Sequence, residues 1–361
     1  MARRVPVESW SVTARHRRWG CLAAACFLAL VAAVGLALLV WLVRPTPAVH
    51  ALNLIGSDVD GLVLVDLSRT SPRVNEFLGC LLRPMSYEVQ SRPEDLEQEI
   101  SQLLDVMTFR RAIGLLRSGG PGGRDEWACV VPLKRMGDGL KVLVRQLVER
   151  EAGSGVEMET SGGVLLFWGK PGTPCFAISR RAVVAAGNRG WLNEVLARIE
   201  RPLEQTPRAG FLYHNLPAGG RHSIARACLL VPKGRWDSWA ALGKNGPFPL
   251  DVPARIRRVV EACGLEGADI ASAAATAVVQ PRHQLRLGLT VACSRTTASL
   301  ALANGVSRRW GDLSAMVQGP DVAVLDEPTT AMAGVTFGWM TTPIERLLEA
   351  APGKPSSPPS R

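Results

Sequence analysis

Apolar and polar positions divide the chain into one long uncharged run and a series of short ones. Residues 21–43 are 23 consecutive residues without a charge, which at ~1.5 Å per helical residue exceeds the ~30 Å hydrocarbon core of a bilayer. No side of this run is polar, so it predicts a membrane-spanning helix rather than a surface helix. Beyond it, the Leu and Val run 61–67, bounded by Asp60 and Ser68, predicts a buried strand. Ser71 as cap and Pro72 at the first helical position then open a helix with Val74, Phe77, Leu78, Leu81 and Leu82 on one face. Pro93 and the acids behind it open a second, whose inner stripe is Leu96, Ile100, Leu103, Leu104 and Met107.

Strand-like runs recur at 109–116, 127–133, 164–168, 176–178 and 182–186, with glycine-rich turns between them, and 119–123 is a hairpin connection. Helices alternate with them. Leu140, Leu143, Val144, Leu147 and Val148 mark one, and Trp191, Leu192, Val195, Leu196 and Ile199 another. Further on come strands at 322–325 and 333–337, then a capping box, Thr342-Pro343-Ile344-Glu345, that opens a last helix. Grouped strands with helices between the groups predict an α+β fold: mainly antiparallel sheet with helices on one face.

A weak internal repeat supports a duplication. Ala128-Cys129-Val130-Val131-Pro132-Leu133-Lys134 has a near copy in Ala227-Cys228-Leu229-Leu230-Val231-Pro232-Lys233, and the segment from Cys175 resembles the one from Ala292. The expected organisation is a basic cytoplasmic segment 1–20, a transmembrane helix 21–43, a linker 44–51, two α+β halves at 52–205 and 206–351, and a Pro- and Ser-rich disordered tail 352–361.

Charge sets the orientation. Arg3, Arg4, Arg15, Arg17 and Arg18 against Glu8 leave +4 before the apolar run, and only Arg44 follows it closely. The positive-inside rule therefore keeps the N-terminus in the cytoplasm and exports the rest of the chain across a bacterial inner membrane. Trp19 and Trp41 suit the two headgroup levels. A cleaved signal peptide is the competing reading, because Val49-His50-Ala51 has small residues where a peptidase inspects them, but secretory apolar regions usually run only about 7–15 residues.

The net charge of +10 does not point to nucleic acid: the chain has 36 Arg against 6 Lys, and its Arg pairs at 110–111, 180–181, 257–258 and 308–309 lie far apart in sequence. The exported part has six cysteines, Cys80, Cys129, Cys175, Cys228, Cys263 and Cys293. An even number permits disulfides, yet each sits in an apolar stretch and no Cys-x-x-Cys occurs, so they read as small buried hydrophobes.

With its anchor, the run Gly61-Leu62-Val63-Leu64-Val65-Asp66-Leu67 and the strand, turn, strand and helix of 176–199, the chain resembles a loosely defined group of uncharacterised bacterial envelope proteins with repeated strand and helix units. The resemblance implies architecture and location, and no activity.

No motif nominates a catalytic, cofactor-binding or metal-ligating residue. Val322-Ala323-Val324-Leu325-Asp326-Glu327-Pro328-Thr329 looks like the magnesium-binding strand of transporter ATPases, but no phosphate-cradling loop precedes it. His16, His50, His214, His222 and His283 form no His-x-x-x-His pair, and G-x-S-x-G is absent. Asp60 with Asp66, or Asp326 with Glu327, are the carboxylate pairs to examine for glycosidase-type chemistry, although turn-forming and strand-ending roles suit these acids better. Trp127, Trp168, Trp191, Trp310 and Trp339 fall on apolar faces, leaving Trp236 and Trp239 as stacking platforms for a glycan. The expectation is a single-pass, membrane-anchored extracytoplasmic protein that binds an envelope protein or glycan or contributes structurally, with no cofactor and no nucleic acid. An envelope hydrolase or transferase working through a carboxylate pair is the alternative.

Overall fold

The computed structural model describes residues 47–67, 73–74, 110–119, 125–135, 137–150, 156–169, 173–220, 222–231, 252–266, 269–317, 322–331, 334–341 and 343. The apolar run 21–43, the two helices expected within 71–107 apart from residues 73–74, Trp236, Trp239 and the tail lie outside them. Among the described residues no helix is long and apolar enough to cross a membrane.

Twelve strands form one sheet in the order β11-β12-β10-β9-β8-β1-β2-β3-β7-β6-β5-β4, and every neighbouring pair is antiparallel. The first arm contains β1 (Gly61–Asp66), β2 (Arg111–Arg117), β3 (Glu126–Pro132), β4 (Glu157–Ser161), β5 (Val164–Trp168), β6 (Cys175–Ile178) and β7 (Ala182–Ala186). The second contains β8 (Ser223–Leu230), β9 (Ile270–Gln280), β10 (Gln284–Cys293), β11 (Val322–Ala331) and β12 (Gly334–Thr341).

The two arms read alike outward from the centre. In each, three strands lie side by side, a helix crosses over, and a hairpin returns with its second strand against the third: β7 on β3, β12 on β10. The crossing helices are α1 (Gly137–Arg150) and α5 (Thr296–Val317), and the β4–β5 hairpin extends the first arm alone. The similar sequences do not occupy equivalent places in this order. Cys129 stands on the third strand of its arm and Cys228 on the first of its own, so small apolar composition shared by buried strands accounts for the match.

Cross-strand partners share a face, which allows the core to be followed strand by strand. Leu62 faces Leu115, Leu115 faces Ala128, and Ala128 faces Ala186. This face receives α2 (Arg189–Glu200) and α3 (Pro207–His214), and buries Trp191, Leu192, Val195, Ile199, Ala209 and Leu212. Asn188 caps α2 by accepting the Trp191 amide at 2.8 Å, and Thr206 caps α3 ahead of Pro207.

The neighbouring residue on each strand follows the opposite face. Gly61 faces Leu229, Leu229 faces Ala273, Ala273 faces Val291, and Val291 faces Val335. There a second core forms from Val259 and Val260 of α4 (Val252–Ala262), Leu302, Val306 and Leu313 of α5, and Phe337.

The expectation of helices on one face is therefore corrected: the two described cores lie on opposite faces of a shared sheet. The physical reason is visible in β8, where Cys228 enters the first core and Leu230 packs against it, while Val231 just beyond the strand enters the second. A strand buried on both faces reads as a continuous apolar run. The linker boundary also moves, because Val49 and Ala51 are already buried in the first core and the chain makes a 3-10 turn at Ala51–Leu54.

Each core carries its own share of stability. Leu192→Ala and Leu302→Ala are each expected to cost about 2–5 kcal/mol, and because they sit in separate cores their effects should add in chemical denaturation.

Candidate functional site

The two ends of β1 carry different chemistry. At the Asp60 end, Arg117 closes β2 beside Trp191 and Arg198 of α2. Its guanidinium lies 4.1 Å from the Trp191 ring centroid, with that of Arg198 at 4.8 Å. Arg117 pairs with Glu126, with Asp58 at 3.2 Å and with Glu194 at 2.7 Å, while Arg198 holds Asp58 at 2.8 Å. Asn188 donates to Glu126 at 2.7 Å, so the cap of α2 is wired to the same cluster.

Burial raises the Asp58 carboxyl, but its hydrogen bond and attraction to Arg198, with help from the backbone and Arg117, outweigh this and hold it below the usual carboxylate value. Arg117 and Glu126 are only 13% and 7% exposed, so losing either leaves its partner charged and buried, at a typical cost of ~3–5 kcal/mol. Three carboxylates share two guanidiniums here. The cluster satisfies its own charges, and its chemistry is that of a clamp joining the 55–60 segment, the β2–β3 hairpin and α2.

Asp60, expected as a turn-forming acid, is instead buried. It accepts the Ser118 amide at 2.7 Å and pairs with Arg208 of α3.

At the Asp66 end the seam between β1 and β8 opens into a cavity of about 560 Å³, within the range of small-ligand sites. Its floor is Leu64, Ile113, Arg226, Asp66 and Arg111. These belong to one face by pairing, since Leu64 faces both Ile113 and Arg226 and Asp66 faces Arg111. The segment 48–53 forms one wall, with Tyr213 and Gln205 from the region of α3 opposite. His50 of that wall is exposed. Arg111 holds Asp66 at 3.1 Å across the strands, a solvent-facing pair that orients more than it stabilises. The Arg226 guanidinium reaches the Pro217 carbonyl at 3.4 Å. The cavity thus combines the apolar Leu64 and Ile113 with two guanidiniums, one carboxylate, an imidazole and a phenol.

Of the nominated carboxylate pairs, Asp60 and Asp66 are not brought together. Asp60 precedes β1 and Asp66 ends it, which separates them by the length of a strand. Asp326 and Glu327 are placed mid-strand within β11 rather than at a strand end, because β11 continues to Ala331 in a hairpin with β12.

The thiols of Cys129, Cys175, Cys228, Cys263 and Cys293 are free. Burial pushes Cys228 up to about 11, which makes it a poor nucleophile. His214, exposed at the end of α3, meets Tyr213 edge-on at 6.2 Å, and no group of three or more His, Cys, Asp or Glu that could hold a metal occurs among the described residues. Trp191 is fully buried, Trp168 lies under the Arg189 guanidinium at 4.2 Å, and Trp310 packs near Phe337. Trp127 is an exception to the expected apolar faces, at 38% exposed.

Sequence reading missed the seam cavity because its residues come from seven separate stretches of the chain. One signal was present: Arg226 interrupts an apolar strand, Ile224-Ala225-Arg226-Ala227-Cys228, where a charge needs a reason.

Comparison with protein-family models, curated proteins and solved structures gave no match.

The depressed Asp58 carboxyl has a signed consequence. Its stabilising contribution is complete above the unfolded-state value of about 3.9 and is lost as pH falls through the lower folded value. Asp58→Asn should destabilise the protein at pH 7, and the gap to wild type should narrow as denaturation is repeated below about pH 4.

Proposed function

We propose that this chain is a single-pass protein of the bacterial inner membrane, with residues 21–43 as a retained anchor, the N-terminus inside and the α+β domain outside. In this reading it acts as a binding module, and the seam cavity is its ligand site. The observation that carries the proposal is that Arg111 and Arg226 line one cavity together with Leu64 and Ile113. Such a site suits a small amphiphile with a carboxylate or phosphate group and an apolar or aromatic part, as borne by an envelope glycan or lipid.

Retention of the anchor is supported by the burial of Val49 and Ala51. Cleavage after Ala51 would remove Val49 from the first core and cut the 3-10 turn that walls the cavity. The same reading takes 52–205 and 206–351 as two copies of one unit, a duplication supported by the matching strand order of the arms.

Two measurements test these statements. The full chain should stay in the membrane fraction after alkaline carbonate washing, and Leu30→Arg with Leu36→Arg should release it, since each charge at the bilayer centre costs about 2.5–3.5 kcal/mol. Phenyl phosphate should bind saturably to the membrane-embedded protein by calorimetry, and Arg226→Gln should weaken it about tenfold, the size expected for one charged hydrogen bond. Unsaturable binding, or equal affinity in the variant, would remove the seam cavity as the site.

A further inference from the structure

The sheet has a charge axis that runs along its strands. Because all neighbours are antiparallel, strand pairing tells which ends lie together. Asp66 faces Arg111, Pro132 faces Ala182, Val65 faces Ala225, Ser223 faces Val278, and Gln280 faces Gln284. These pairs gather one rim of the sheet across both arms. On its strand ends and turns stand Arg111, Arg135, Arg282 and Arg286, all exposed, and Arg180, 40% exposed. Among the described residues Asp66 pairs there with Arg111, and Asp138 in the first turn of α1 pairs with Lys141 and lies 4.0 Å from Arg180, while Glu200 and Glu204 are exposed where α2 ends at this rim.

The opposite rim is closer to neutral, because Arg117, Arg198, Arg208 and Arg295 pair with carboxylates there. Asp58, Asp60, Glu126, Glu157, Glu194 and Asp269 gather there, placed by Arg117 facing Glu126, Trp168 facing Glu157 and Cys293 facing Ile270.

The chain reaches the fold at the basic rim. Residues 48–53 wall the seam cavity at the Asp66 end, and only 44–47 separate them from the last residue of the apolar run. Four residues reach no further than about 15 Å. A tether this short holds that rim close to the bilayer, where the local concentration of headgroups is high.

We infer that the basic rim of the sheet docks on the anionic phospholipid surface of the membrane that carries the anchor, so that the seam cavity opens at headgroup level and the more nearly neutral rim points away. The inference rests on the anchor proposed above. It follows from charge complementarity and tether length together: basic residues near an anionic surface are each attracted measurably, and the attraction fades within a Debye length. Cations spread over both arms would hold the sheet upright, because tilting to either side lifts one group away.

The test uses the full chain in lipid nanodiscs of phosphatidylcholine, with or without phosphatidylglycerol, treated with phenylglyoxal and mapped by mass spectrometry. Arg135, Arg282 and Arg286 should be modified about fivefold more slowly in the anionic discs, the ratio expected for one basic residue at such a surface. The difference should vanish in about 0.5 M salt. Arg295, 72% exposed on the opposite rim, should react equally in both. Incorporation with equal rates at the three rim arginines would overturn the docking alone. A chain that fails to incorporate would overturn the anchor and the docking with it.

Discussion

The pairing of β1 with β8 is the contact on which the rest of the molecule depends. It is the one ladder that joins the arms, running from Gly61 opposite Leu229 to Val65 opposite Ala225. It also hands the core from one face to the other. Leu62 and Cys228 complete the first core, while Gly61 leaves room on the reverse face for Leu229, whose side chain lies where any added Cβ would stand, 2.4 Å away. A one-residue slip in this ladder would turn the apolar set of each strand to the wrong side. Both cores and the seam cavity thus share a single register.

That register also separates structure from candidate function. At one end of β1 the charges of Asp58, Arg117, Glu126, Glu194 and Arg198 are used up on each other around Trp191. At the other, Arg111 and Arg226 face a cavity large enough to take a ligand. The same residue types serve as a clamp where carboxylates outnumber guanidiniums and as a receptive surface where they do not.

Much of the first arm was legible in the sequence. The runs 164–168 and 182–186 coincide with β5 and β7, and the helical stripe of Trp191, Leu192, Val195, Leu196 and Ile199 is the buried face of α2. Local periodicity suffices there because each element buries one regular face. It failed where periodicity is absent or ambiguous. β4, Glu-Met-Glu-Thr-Ser, has no apolar alternation and exists only because β5 offers it an edge. β9 has alanine at five of its eleven positions, and its strand state is imposed by neighbours on both sides. The seam cavity and the two-faced core depend on which distant strands meet, which no short window of sequence encodes.

The seam also dictates an order of events during biosynthesis. Gly61 and Ser223, the first residues of β1 and β8, stand 162 positions apart. The first arm is therefore synthesised with the backbone donors and acceptors of β1 still unpaired along one edge. Until β8 arrives, that edge is a template for any other extended segment, including β8 of a neighbouring chain. Crowding of nascent chains thus favours exchanged dimers, and a chain truncated before residue 223 would be left with a permanently adhesive strand.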